Sequence, residues 1–103
     1  MERIEKLKEF LNASPTDSFL RHALALEYIK EGREEDAMRL FGQLLQDNPG
    51  YVGSYYQLAK LLEKHGRTEE AISCYEKGME MARTSGDQHS YNELRSAWEE
   101  LIF

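Results

Sequence analysis

The chain has 103 residues, a length that suits one domain. Nineteen Asp and Glu against thirteen Lys and Arg leave a net charge of −6. That balance repels phosphate backbones and anionic lipid, which argues against nucleic acid and membrane as partners. The single cysteine, Cys74, excludes a disulfide-stapled scaffold, and no stretch reaches the roughly 18 apolar residues of a membrane span. The opening Met1-Glu2-Arg3-Ile4-Glu5-Lys6 lacks the apolar core of a signal peptide, so the expected setting is cytoplasmic.

In chain order, Ile4, Leu7, Phe10 and Leu11 predict a first helix over 2–13, which stops before Pro15. Leu20, Leu24, Ala25 and Tyr28 predict a second over 17–31, capped by Asp17 or Thr16 and ended at Gly32. A third follows over 34–47, with Ala37, Met38, Phe41, Leu44 and Leu45 on one side. Its acidic opening, Glu34-Glu35-Asp36, complements the positive end of the helix dipole. Asn48-Pro49-Gly50 breaks the chain. A fourth helix, over 51–65, carries Tyr55, Leu58, Ala59 and Leu62 and ends at Gly66. The fifth, over 68–84, opens on Glu69-Glu70 and carries Ala71, Ile72, Tyr75 and Met79. Beyond Arg83-Thr84-Ser85-Gly86-Asp87, a last helix over 87–102 aligns Tyr91, Leu94, Trp98, Leu101 and Ile102. No segment alternates with period two, so the expected class is all-α.

The chain also matches itself at a shift of 34. Leu24 meets Leu58, Ala25 meets Ala59, Gly32 meets Gly66, Arg33 meets Arg67, Glu35 meets Glu69 and Ala37 meets Ala71. Phe41 meets Tyr75, and Pro15 and Pro49 are the same distance apart. Identities gathered at small, glycine and apolar places mark a repeat whose units bury their stripes by stacking.

These residues resemble the tetratricopeptide repeat, a 34-residue helix–turn–helix with a W-x2-L-G-x2-Y, A-x3-F, P pattern. Leu24, Ala25, Tyr28, Ala37, Phe41 and Pro49 occupy its places in the first unit, with Arg21 where a bulky aromatic is usual. Tyr55, Leu58, Ala59, Leu62, Ala71 and Tyr75 do so in the second, with Arg83 in place of the proline. The resemblance implies a right-handed α-solenoid of about six helices forming one domain. It would comprise a half repeat over 1–15, repeats over 18–51 and 52–85, and a capping helix over 86–103. It also implies a concave face, lined by the first helix of each unit, that binds a peptide or partner helix.

Nothing carries catalytic or cofactor chemistry. His22, His65 and His89 are scattered, no metal-ligand spacing exists, and no glycine-rich phosphate loop is present. An enzyme, a metal and a cofactor are therefore not expected, and Cys74 reads as packing. By the family's geometry the concave residues are Phe19, His22, Leu26, Ile29 and Lys30 from the first unit. Tyr56, Gln57, Lys60 and Lys64 come from the second, with Gly53 and Glu63 beside them. Some family members clamp a partner's C-terminal carboxylates with Lys, Asn and Arg. Here His22, Leu26, Gln57, His89 and Glu93 stand at those places, and the basic residues are missing. Phe19, Leu26, Ile29 and Tyr56 read two ways, as an apolar binding strip rimmed by Lys30, Lys60 and Lys64, or as internal packing. The expected function is an adaptor for a protein or peptide of unknown identity. The alternative is a module that self-associates through exposed apolar repeat faces.

Overall fold

The computed structural model describes residues 2–103. Six helices follow in order: α1 (Glu2–Ala13), α2 (Ser18–Lys30), α3 (Glu34–Asp47), α4 (Gly53–Lys64), α5 (Thr68–Ser85) and α6 (Gln88–Ile102). There is no strand among the described residues, and each helix lies within two residues of its predicted bounds. These residues form two compact units, one ending at Asn48 and one beginning at Pro49. In the first, α2 packs on both α1 and α3; in the second, α5 packs on both α4 and α6.

The helix ends follow from local chemistry. The Asp17 carboxylate accepts the Leu20 N–H at 2.9 Å and opens α2. Asp87 does the same for α6, accepting from the Ser90 N–H at 3.0 Å. Glycine ends α2 and α4. Gly32 and Gly66 take φ of 77° and 75°, the left-handed region where a Cβ is strained. At the first of these turns the Arg33 N–H reaches the Tyr28 carbonyl (2.7 Å) and the Gly32 N–H reaches that of Ile29 (3.0 Å). At the second, Arg67 reaches Leu62 (2.9 Å) and Gly66 reaches Glu63 (3.0 Å). Both are the doubly bonded helix stop that satisfies orphan carbonyls and turns the chain back.

The same arginines then begin the next helix. Arg33 Nε donates to Asp36 at 2.9 Å, and Arg67 Nε and Nη2 both donate to Glu70 at 2.9 Å. The guanidinium groups hold the Asp36 and Glu70 carboxyls below their ordinary values. The acidic openings read from sequence as dipole partners are thus also fastened across the turn.

In the first unit Ile4, Leu7, Leu24, Ala25, Tyr28, Ala37, Met38, Phe41, Leu44 and Leu45 are buried. Phe10 departs from expectation at 58% exposed. It lies to one side of the Ile4–Leu7 line, and the predicted stripe was wider than the contact α1 makes with α2. In the second unit Tyr55, Ala59, Leu61, Leu62, Ala71, Tyr75, Ala82, Leu94 and Ala97 are buried. Tyr91, Trp98 and Leu101 are half-buried, while Ile102 is 37% exposed. Ala25, Ala37, Ala59 and Ala71 are all fully buried, as helices in close approach require.

Arg21 and Tyr55 stand 34 residues apart, and both reach back into the preceding loop. Tyr55 Oη donates to the Pro49 carbonyl at 2.6 Å. Arg21 Nη2 donates to the Thr16 carbonyl at 3.3 Å, and its Nη1 pairs with Asp47 of α3 at 2.9 Å. Arg21 is 7% exposed, so the departure from the family's aromatic is filled by a buried cation bridging α2 and α3.

Two expectations test this packing. Gly78 sits where α4, α5 and α6 converge, and a Cβ there would lie 2.7 Å from Tyr55 Cβ and 3.1 Å from Leu94 Cδ1. Gly78→Ala should therefore cost about 1–3 kcal/mol. Gly42, mid-helix in α3 with nothing within 4 Å of such a Cβ, should gain roughly 0.5–1 kcal/mol as Gly42→Ala. Urea melts of the two variants should shift in opposite directions.

The second expectation concerns alkali. Cys74 Sγ donates to the Tyr55 carbonyl at 3.5 Å, and burial pushes its thiol up to about 12. Burial and a hydrogen bond to the Glu63 carboxylate raise Tyr75 as well. Both groups hold their protons more tightly folded than unfolded. Their contribution is complete below the unfolded values near 9 and 10 and is lost as pH rises past them. Stability should fall above pH 9 through Cys74 and above pH 10 through Tyr75, each by at most about 1.4 kcal/mol per pH unit. Urea melts across that range, repeated with Cys74→Ala, should show a smaller fall in the variant.

Candidate functional site

The residues singled out from sequence divide between the units. On α2 the outward face runs Phe19, His22, Leu26, Ile29 and Lys30, spaced by three and four. Phe19 is 69% exposed and Leu26 is 36% exposed. Ile29 is half-buried on the edge of the same face. His22 is half-buried, its ring edge-on to Phe41 at 5.4 Å between centroids. Burial lowers its pKa, so the neutral imidazole is the favoured form. Lys30 lies exposed, 3.8 Å from Glu27.

In the second unit Tyr56, Gln57, Lys60 and Lys64 lie on α4. Tyr56 is half-buried, its ring edge-on to Tyr75 at 6.5 Å, with the Lys60 ammonium 5.9 Å from its centroid. Lys60 also stands 3.8 Å from Glu63. Tyr56 thus shares its ring between the core and the surface. Gln57 is half-buried, and Lys64 is exposed.

Two surface features have no counterpart in the sequence reading. A hollow of about 310 Å³ on α1 is lined by Glu2, Arg3, Lys6, Leu7 and Phe10. Beside it Arg3 Nε pairs with Glu27 of α2 at 3.2 Å. A second hollow, of about 470 Å³, lies between α5 and α6 around Met79, Glu80, Tyr91, Arg95 and Trp98. There Trp98 Nε1 donates to Glu76 at 3.2 Å, and Arg83 donates to Tyr91 Oη at 2.9 Å while stacking on its ring. Spacing along a helix could have flagged Phe10, which shares a line with Arg3 and Lys6 rather than with Ile4. Pairs between helices, such as Arg3 with Glu27, carry no local signal.

Among the described residues no three His, Cys, Asp or Glu side chains gather as metal ligands would, and no helix is long and apolar enough to cross a membrane.

The chain matches one tetratricopeptide repeat family over residues 28–95 and another over residues 1–53. A tetratricopeptide repeat domain protein of Salinibacter ruber, solved in solution, is 42% identical, with a TM-score of 0.82 over 85% of this chain and 89% of that one. A protein of Bordetella parapertussis is 26% identical, with a TM-score of 0.80 over 95% of this chain and 85% of its own. The tetratricopeptide repeat and J domain-containing co-chaperone DNJ1 of Cryptococcus neoformans is 38% identical over 56% of this chain. The chain spans only 11% of that co-chaperone's length. With matches at both ends and a solved relative covering most of its length, the chain belongs to the tetratricopeptide repeat family, whose repeats mediate protein–protein interaction.

Proposed function

We propose that this protein is a protein-interaction adaptor whose docking surface includes the outward face of α2. The observation that carries the reading is that Phe19 and Leu26 stand exposed two turns apart on one face of α2. Solvated phenylalanine and leucine at helical spacing, on a repeat built for protein contact, suit an apolar side chain from a peptide or helix. On α4 of the second unit, Tyr56 under Lys60 offers an aromatic contact of the kind favoured at interfaces. His22, Ile29 and Lys30 on α2, and Gln57 and Lys64 on α4, belong to the same proposal, each with the anchor of its own unit. The division into a half repeat over 1–15, repeats over 18–51 and 52–85, and a cap over 86–103 belongs to the same proposal, as does an adaptor working without catalysis.

Self-association is the second reading. It is favoured by Ile102 and Phe103, which are 37% and 93% exposed beside Trp98.

The test is binding of a partner recovered by affinity capture, measured alongside urea melts. Phe19→Ser with Leu26→Asp should abolish binding and change stability by less than about 1 kcal/mol. Tyr56→Ala should weaken binding and cost more stability, because it also uncovers Tyr75. Unchanged binding by the α2 variant would reject this face. A mass that falls on dilution of the protein alone would favour the self-association reading.

A further inference from the structure

Two bonds tie α5 to α6, and they recur at the same interval on both helices. Trp98 Nε1 donates to the Glu76 carboxylate at 3.2 Å, and Arg83 Nη2 donates to Tyr91 Oη at 2.9 Å. Glu76 and Arg83 are seven residues apart on α5, and Tyr91 and Trp98 are seven apart on α6. Seven residues are two turns, about 10.5 Å along the axis. The bonds are thus two rungs across the hollow of about 470 Å³, with Met79 between them. Met79, Tyr91 and Trp98 are half-buried, a floor of the side chains enriched where proteins meet.

Each rung sets a full charge against a neutral group. The Glu76 carboxylate accepts an indole N–H. The Arg83 guanidinium lies 5.1 Å from the Tyr91 ring centroid while donating to its hydroxyl. The neighbouring charges are turned elsewhere. Lys77 pairs with Glu80 at 3.1 Å, and Arg95 with Glu99 at 3.3 Å. Asp87 accepts from the Ser90 N–H and hydroxyl. Among the described residues neither Glu76 nor Arg83 belongs to an ion pair. An amide side chain at either place could make the same bond, so closing α6 on α5 does not account for the charges. The hollow has little net charge but a definite polarity. An exposed carboxylate without a cation marks its Trp98 end, and an exposed guanidinium without an acid marks its Tyr91 end.

We infer that the α5–α6 hollow receives a helix of a partner protein that carries a basic and an acidic side chain seven residues apart, with an apolar side chain between them. The basic side chain meets Glu76 beside Trp98, the acidic one meets Arg83 beside Tyr91, and the apolar one seats on Met79. A helix returns to one face at the interval of the two rungs, so both charges are met at once. An occupant with two like charges would meet repulsion at one end, which sorts partners by the arrangement of their charges rather than by net charge. This site lies wholly on the second unit and does not depend on the reading of α2.

The experiment titrates the full chain with alanine-based peptides of about 16 residues, a length at which a helix can form. Each carries Leu midway between two variable positions seven apart. Those positions hold Lys and Glu, Lys and Gln, Gln and Glu, or Gln and Gln. Trp98, the chain's single tryptophan, reports binding by its fluorescence. Each charge should raise affinity about three-fold at low salt, and the Lys and Glu peptide should bind about ten-fold above the Gln and Gln peptide. Placing the two charges five residues apart, on different faces of a helix, should remove the gain. Glu76→Gln should cancel only the gain from Lys, and Arg83→Gln only the gain from Glu. Both amides can keep the bond to α6, and urea melts check that they do. Where a variant is destabilised, the peptide series on the unaltered chain still decides. Equal affinity of the four peptides, a gain that survives its own variant, an undiminished gain at five-residue spacing, or no change in Trp98 fluorescence up to millimolar peptide would overturn the inference.

Discussion

Two helices joined by a three-residue turn can share a buried stripe only if their backbones lie close, and side-chain bulk at the crossing sets the distance. In both units that bulk is reduced to a methyl group. Ala25 and Ala37 in the first, and Ala59 and Ala71 in the second, are sealed from solvent between α2 and α3 and between α4 and α5. Phe41 and Tyr75 can then be fully buried beside them, filling the space the small residues leave around the crossing. Gly78 applies the same constraint at the meeting of α4, α5 and α6. Enlarging any of these positions pushes apart helices that every other contact assumes to be close.

The turns are subordinate to that closeness but make it reproducible. Gly32 and Gly66 reverse the chain in a single left-handed residue, and each is followed by an arginine that grips an acid one turn into the next helix. One short sequence therefore ends a helix, turns the chain and starts the next helix. The exposed ion pairs add little energy by themselves. They align α3 and α5 as those helices leave the turn.

Most of the architecture was legible because it is local. Helix period, capping Asp17 and the turn glycines are all properties of a few neighbouring residues, and the 34-residue self-match made Ala25 and Ala59 interchangeable in role. What escaped was the side chain whose neighbours are distant in sequence. Phe10 belonged to an apolar stripe by spacing, yet α1 buries only the Ile4–Leu7 side of it against α2. Arg21 was visible only as a departure from an aromatic, because its acid lies 26 residues away on α3. Of the candidate site, the choice of α2 and α4 was readable from the repeat register. The exposure of Phe19, the half-burial of Tyr56 under Lys60 and the sharing of Glu27 by two cations depend on tertiary contacts that no periodicity encodes.

The Arg21 and Tyr55 positions carry a consequence of their own. At equivalent places, one unit draws its entry loop inward with a guanidinium and the other with a phenol. Asp47, the acid that completes the first arrangement, is 60% exposed on its side chain, so dissolved ions reach that bridge. The Tyr55 bond to a carbonyl joins neutral groups and is indifferent to ionic strength. Two near-copies of one motif are thereby coupled to different properties of the solvent. Salt should therefore act on the Arg21–Asp47 tie between α2 and α3, while the neutral bond of Tyr55 to the Pro49 carbonyl has no such sensitivity.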